Sequence, residues 1–131
     1  MIEAIVKKIM MTGINKYAKA YNVPAEQVQI KVTDNPDGTI FYTICDSFKE
    51  VERVTFLQIM DKKMDIFQYE TLANPFLKKS LELYANDTND DILNVCSFIM
   101  KVNNNIGLAF YNKFKNGKNI SLAKLLGELG L

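Results

Sequence analysis

Apolar residues at the start of the chain recur every three or four positions, the spacing of one face of an α-helix. This stripe begins at Ile2 and reaches Tyr21, and most lysines of the stretch lie off it. The pattern predicts an amphipathic helix over residues 2–21. Asn22 and Pro24 follow, and both residue types are typical of a helix end.

After this helix the period changes to two. Apolar and polar side chains alternate from Val28 to Val32, as they do in a half-buried strand. The stretch TDNPDGT follows, in which Pro36 and Gly38 suit the corners of a tight turn. The segment IFYTIC, residues 40–45, is apolar on both faces. It predicts the second strand of a hairpin, in a central position covered on both sides.

Residues 46–71 carry an ambiguous pattern. Ser47 followed by Glu50 resembles a capping box, which would open a helix. The run RVTFLQIM, however, has the β-branched and aromatic residues of a strand. We favour a second hairpin that pairs residues 51–60 with 64–71, and the pattern leaves open whether residues 48–60 are helix or strand.

Helical spacing returns after residue 73. Asn74 suits the N-cap of a first helix, and a long second helix is predicted over about residues 89–115. A short last helix starts at Asn119 or Ser121. The sequence thus predicts one α+β domain over residues 1–131, with an N-terminal helix, an antiparallel sheet of about four strands in two hairpins, and three C-terminal helices. No internal repeat is apparent.

The residue types that most catalytic sites use are scarce. The chain has no histidine, Arg53 is its only arginine, and no Gly-rich phosphate loop is present. We therefore predict that the protein is not an enzyme and that it holds neither a metal nor a cofactor. Cys45 and Cys96 lie among apolar neighbours, which predicts buried free thiols.

Three asparagines interrupt the apolar stripe of the predicted long helix, and Asn103 lies on the stripe itself. A buried amide without a partner costs about 1–3 kcal/mol, so the residue needs a reason to be there. It could bond a neighbouring backbone at the margin of the buried face. It could instead fix the register of a helix–helix interface, or contact a ligand for which Gly107 leaves room.

The largest apolar excess falls in the predicted second hairpin, where more side chains are apolar than one buried face needs. We predict a surface that binds another protein or a second copy of the chain, with a homodimer expected. Coverage of both faces by helices of the same chain is the alternative explanation. The predicted partner-binding residues are Phe56, Met60, Met64, Phe67, Asn103 and Gly107.

Two further binding functions remain open. A small-molecule or nucleotide pocket between the sheet and the long helix would be lined by Tyr42, Asn103 and Phe110. A weak site for single-stranded nucleic acid would use lysines beside an aromatic ring, although the net charge of +1 makes nucleic acid a poor expectation. The residues of that site would be Lys113, Phe114, Lys115 and Lys118.

We expect no secretory signal, because the first residues lack a long apolar region, and no apolar run is long enough to span a bilayer. We predict a cytoplasmic protein without a membrane partner. The abundance of Asn, Lys and Ile with almost no Arg favours an AT-rich coding sequence, as in low-GC bacteria and viruses, and a viral protein would act in the host cytoplasm.

Overall fold

The fold has two layers, an antiparallel sheet and a set of helices. A computed structural model describes residues 2–112 and 117–131. The strands are β1 Val28–Asp34, β2 Ile40–Asp46, β3 Lys49–Val54, β4 Val95–Val102, β5 Asn105–Asn112 and β6 Lys118–Ser121. The helices are α1 Ile2–Tyr21, α2 Phe56–Ile59, α3 Ile66–Gln68, α4 Asn74–Asp87 and α5 Leu122–Glu128. The sheet order is β3-β2-β1-β4-β5-β6, and every neighbouring pair is antiparallel.

A row of branched aliphatic side chains crosses the sheet on the face toward the helices. Ile30 of β1 lies opposite Ile44 of β2 and Ile99 of β4, and Leu108 and Ile120 continue the row to the far edge. These five side chains are all buried. Helices α1, α4 and α5 supply the other half of this core, and its burial is the main stabilising term of the fold.

The predicted first helix and first hairpin are confirmed. Helix α1 covers residues 2–21 as expected, and Asn22 ends it in a left-handed conformation with φ +57°. Strands β1 and β2 pair across the turn that contains Gly38, whose φ of +86° only glycine adopts without strain. Gly13 of α1 lies in close contact with α2, because an added Cβ there would lie 2.5 Å from Ile59 Cγ2.

The predicted long helix over residues 89–115 is wrong, because most of it is the β4–β5 hairpin. Residues 95–102 are apolar on both faces, so their spacing fits a period of three or four as well as a period of two. Asn103 and Asn104 form the turn between Val102 and Asn105, which pair with each other. Asn103 adopts φ +58°, which short hairpin turns require and which asparagine tolerates.

The predicted hairpin of residues 51–60 with 64–71 is also wrong. Strand β3 ends at Val54, and Thr55 caps α2 by accepting a hydrogen bond from the backbone of Gln58, whose side chain bonds back to Thr55. Residues 66–73 are helical and lead through one π-helical turn into α4. Residues 48–60 therefore contain both a strand and a helix, and β3 pairs with β2.

Among the described residues, the sheet has six strands where about four were predicted, and one helix follows the last strand where three were predicted. Helix α4 lies in the chain between β3 and β4, so helices stand before, between and after two groups of three strands. The α+β character of the prediction stands, whereas its order of elements does not.

The two halves of the chain repeat one sequence of elements. Each half runs from a long helix through a short 3-10 turn into three antiparallel strands and a capped helix. Asn22 and Asn89, both in a left-handed conformation, end α1 and α4. Val28 and Val95 begin β1 and β4, so both pairs are 67 positions apart. Backbone hydrogen bonds repeat with the same offset.

This repeat gives the sheet a pseudo-twofold axis. Strands β1 and β4 lie side by side at the centre of the sheet. The corresponding strands β2 and β5 flank them, and β3 and β6 form the two edges. Lys31 lies opposite Phe98, the residue 67 positions later that corresponds to it, so the axis passes between them. Tyr17 and Tyr84 are identical, but few of the other corresponding residues are. Because the identity is so low, the sequence alone does not reveal the repeat.

Candidate functional site

The helices contact one face of the sheet, and this leaves the other face as the candidate site. Ile30 approaches α1, Tyr42 bonds to Asn74 of α4, and Phe110 stacks on Tyr84 of α4. Side chains alternate along a strand, so the neighbours of these residues project to the opposite side. We call that side the open face. Its side chains along the three central strands are Gln29, Lys31, Thr33, Phe41, Thr43, Cys45, Cys96, Phe98 and Met100.

An aromatic cluster lies on the open face. Phe98 of β4 is at its centre, with the ring of Phe48 at 5.2 Å and that of Tyr111 at 5.7 Å, both in edge-to-face geometry. Phe48 is 49% exposed. Lys31 places its Nζ 5.8 Å from the Phe98 ring and 3.0 Å from a carboxylate oxygen of Glu50. Most of the charge next to the cluster is therefore paired.

Phe48 has an unfavourable backbone conformation. Ser47 and Phe48 form the two-residue turn between β2 and β3, with φ of +50° and +68°. Asparagine and glycine favour these angles, whereas a bulky residue there costs about 1–3 kcal/mol. Such strained positions concentrate at functional sites, where the surrounding structure holds them in place.

A buried glutamine holds this turn. The Phe48 backbone N–H donates to Gln29 Oε1 at 2.7 Å, and Gln29 Nε2 donates to the Gln27 carbonyl oxygen at 3.0 Å. The Gln27 carbonyl also accepts from the Ser47 N–H at 2.8 Å. Gln29 is only 2% exposed, so its amide has little freedom to move. These hydrogen bonds hold the backbone at Ser47 and Phe48, and the Phe48 ring packs against Phe98.

A groove of about 540 Å³ runs beside the aromatic cluster toward β6. We call it the β5–β6 trough. Its floor is formed by the small residues Gly107 and Ala109, and Phe48, Met100, Val102 and Tyr111 form its apolar wall. Its polar rim consists of Asn103, Asn105, Asn119 and Ser121. All the described residues that line the trough are uncharged.

Two of the rim amides have no partner in the part of the chain that the structure describes. Asn105 Oδ1 accepts a hydrogen bond from Lys7 Nζ at 3.2 Å, and Ser121 Oγ accepts from the Lys124 N–H at 3.3 Å. No hydrogen bond joins the side chains of Asn103 or Asn119 to any other described residue. These two amides are available to a bound group, and each can both donate and accept.

The structure divides the predicted partner-binding residues among three environments. Asn103 and Gly107 line the β5–β6 trough. Phe56 and Met60 are buried in the core, where Phe56 stacks on Tyr69. Met64 is partly buried beside α1, and Phe67 is 66% exposed on α3. The six residues therefore do not form one surface.

The residues predicted for a ligand pocket also lie apart. Tyr42 and Phe110 are buried on the face toward the helices, where the Tyr42 hydroxyl donates to Asn74 Oδ1 at 2.9 Å. Burial raises the pKa of Tyr42, so its hydroxyl stays protonated. Asn103 borders the trough on the opposite face. These three residues do not share a cavity.

Lys118 is the one residue of the predicted nucleic-acid site that the structure describes, because Lys113, Phe114 and Lys115 lie outside the described residues. Lys118 Nζ lies 3.2 Å from Oε2 of Glu128 in α5. Its charge is therefore partly neutralised, and it belongs to the side of β6 that faces the helices rather than to the trough.

The described residues offer little reactive chemistry. They contain no group of three His, Cys, Asp or Glu side chains that could hold a metal ion. Cys45 and Cys96 are free thiols, and burial raises the pKa of Cys45 to about 11 and that of Cys96 above its usual value. Both thiols are therefore protonated near neutral pH. Within the same residues, none of the helices has the length and apolar character to cross a bilayer.

Sequence reasoning missed the aromatic cluster. Cys96, Phe98 and Met100 alternate with Val95, Ser97 and Ile99, which is a strand pattern with two apolar faces. The asparagine pair at 103–104 was the signal that this strand turns back. Phe48 carried no signal, because Ser-Phe is not a typical pair for a hairpin turn.

The chain matches no family model, no curated protein and no solved structure.

Proposed function

We propose that the protein is a non-catalytic binding module that engages another polypeptide through the open face of its sheet. The observation that carries the proposal is Phe48, an aromatic side chain held half-exposed at a backbone position that disfavours it. The ring contacts Phe98 on one side and leaves about half of its surface exposed. A function in binding accounts for both its exposure and its fixed position.

The composition of the face favours a polypeptide partner. Large aromatic side chains that stay rigid are the residues that contribute most to protein–protein affinity, and polar groups commonly surround them. Here Phe48, Phe98 and Tyr111 form the aromatic centre, and asparagines lie beside it. Nucleic acid is disfavoured because the lysine beside the aromatic cluster, Lys31, is paired with Glu50, and Arg53 stacks on the Phe41 ring.

A small neutral molecule is the second candidate. The trough volume of about 540 Å³ lies within the range of roughly 300–1,000 Å³ found for small-molecule sites. The trough is open along the sheet, however, and continuous with the exposed Phe48 ring. An extended chain would use both features, whereas a compact ligand would use only the trough.

A matched pair of variants tests the proposal. Random linear peptides displayed on phage are selected against the wild-type protein, and the selected peptides are titrated against Phe48→Asn and Leu93→Asn. Both residues are about half exposed, at 49% and 47%, but Leu93 lies outside the open face. We expect Phe48→Asn to weaken binding by about tenfold or more and Leu93→Asn to leave it unchanged. Equal affinity for both variants would contradict the proposal.

The Phe48→Asn variant also tests whether the protein associates with itself. Light scattering at high micromolar concentration measures the mass of the wild-type protein and of Phe48→Asn. We expect a monomer in both, because the proposed occupant of the open face is a different polypeptide. A dimer that Phe48→Asn abolishes would mean that a second copy occupies the face, which overturns the proposal in favour of the predicted homodimer.

A further inference from the structure

The pseudo-twofold axis relates the β5–β6 trough to a surface in the first half that is filled. In β2 and β3, each residue corresponds to the one 66 positions later, as the pairs Tyr42–Val54 and Leu108–Ile120 show. By this relation Phe41 corresponds to Gly107 and Arg53 to Asn119. In the first half, the Arg53 guanidinium lies over the Phe41 ring at 3.9 Å.

The side chains that fill the first half are absent from the second. Glycine at position 107 is not required by the backbone, because its φ is not positive. A Cβ there would lie 3.1 Å from Val102 Cγ2, and Val102 is half exposed and able to shift. Asn119 is exposed and shorter than Arg53. The small residues therefore leave a space on one half of the face where the other half carries the stacked side chains of Phe41 and Arg53.

We infer that the β5–β6 trough binds an uncharged, extended peptide segment that places one large aromatic or aliphatic side chain on Gly107 and Ala109. This inference rests on the proposed function and names its partner. The stacked Phe41–Arg53 pair shows the space that such a side chain would fill in the corresponding place. The apolar wall that includes Tyr111 supplies its contacts.

The uncharged lining and the polar rim of the trough indicate what the rest of the peptide segment should be. A charged group entering the trough would lose hydration without meeting an opposite charge, since the described lining residues are all uncharged. The free amides of Asn103 and Asn119 can each donate and accept one hydrogen bond, as a main-chain peptide group does. They therefore match the backbone of an extended peptide on either side of the anchoring side chain.

The protein contains no tryptophan, so the fluorescence of a tryptophan peptide reports binding directly. The probe is a blocked peptide of Ser and Thr residues around a central Trp, and its matched controls carry Asp or Lys in place of the Trp. We expect the Trp emission to shift to the blue on titration with the wild-type protein. In competition with it, we expect the Asp and Lys peptides to bind at least tenfold more weakly. Failure of the Trp peptide to bind, or equal affinity for the charged peptides, would overturn the inference.

Variants with larger side chains in the trough test whether the Trp peptide binds there. Asn119→Arg and the double variant Gly107→Phe/Asn119→Arg copy the side chains of the first half, and Asn15→Arg adds the same charge on the exposed side of α1. We expect the filled variants to weaken Trp-peptide binding at least tenfold and Asn15→Arg to leave it unchanged. Asn119→Arg alone is at an exposed position, so the test stands even if the double variant does not fold.

The variants also separate this inference from the proposed function. If Phe48→Asn weakens binding while both filled variants bind as tightly as the wild-type protein, the open face binds peptides but the trough does not hold the anchor. If Phe48→Asn and the filled variants all bind as tightly as the wild-type protein, both the inference and the proposed function are wrong.

Discussion

The two faces of the sheet bury different kinds of residues and have different consequences. Toward the helices, Ile30, Ile44 and Ile99 form a continuous apolar layer. On the open face, aromatic side chains lie beside amides, the Lys31–Glu50 ion pair and Arg53, and Phe48 is half-exposed at a strained position. The first face stabilises the fold through its buried apolar area, whereas the exposed part of the second contributes little burial and Phe48 adds backbone strain. This difference is the basis for the proposal that the open face binds a partner.

Adjacent residues on β4 provide the largest expected contrast between the faces. Ile99 is 1% exposed among the helices, and Met100 is partly exposed on the open face. We expect Ile99→Ala to lower the free energy of unfolding by about 2–5 kcal/mol, because it leaves a cavity in the core. Met100→Ala should cost about 1 kcal/mol or less. Chemical denaturation measures both, and equal losses would show that the open face is as tightly packed as the other.

Ser97 is an exception on the face toward the helices. It is fully buried, and its Oγ has no hydrogen-bond partner among the described residues. An unsatisfied hydroxyl costs about 1–3 kcal/mol, so we expect Ser97→Ala to raise the free energy of unfolding by about 1 kcal/mol. Denaturant titration checks this gain. A loss of stability would mean that the hydroxyl is bonded in solution.

Replacing Phe48 should have little effect on the stability of the fold, although we expect it to weaken binding. Asparagine tolerates a positive φ, so Phe48→Asn relieves about 1–3 kcal/mol of strain. The variant also loses the contact with Phe98, an aromatic pair worth about 0.5–1.5 kcal/mol beyond its buried area. We expect the melting temperature to stay the same or to rise. A clear fall in thermal scans would assign Phe48 to the folding core.

The reactivity of the Cys45 thiol tests whether reagents in solution can reach residues beneath the open face. The residue is fully buried, and burial raises the pKa of its thiol to about 11. The pKa is higher in the folded state, so burial of the protonated thiol favours folding fully below about pH 8.5. This contribution to the free energy of unfolding is lost as the pH rises through 11. We expect alkylation of the native protein by iodoacetamide at pH 8 to be far slower than after unfolding. Mass spectrometry of the digest checks this, and rapid native labelling would contradict it.

Elements with one clear period could be predicted from the sequence. Helix α1 has one apolar stripe with a defined end, and Gly38 marks the first hairpin. Strand β4 could not be told from a helix, because apolar residues lie on both of its faces. The turns at 47–48 and 103–104 also lack glycine, so neither carried the usual hairpin signal.

The candidate site was predicted only in part. Asn103 and Gly107 were selected for a supposed helix face, and both line the trough because Asn103 lies in the β4–β5 turn and Gly107 lies early in β5. Phe48 and Phe98 come together only through the pairing of distant strands, which no local pattern contains. The repeat of the two halves is likewise visible in hydrogen bonds and strand register, whereas only a few residues, such as Tyr17 and Tyr84, are identical.

The most direct measurement of the central claim is an NMR titration of the isotope-labelled protein with a selected peptide. We predict that the amide shifts that change map to the open face, around Phe48, Phe98 and Gly107, and that those of α1 and α4 stay in place. Shifts confined to the helices, or to the exposed Phe67 on α3, would contradict the claim that the open face is the binding surface.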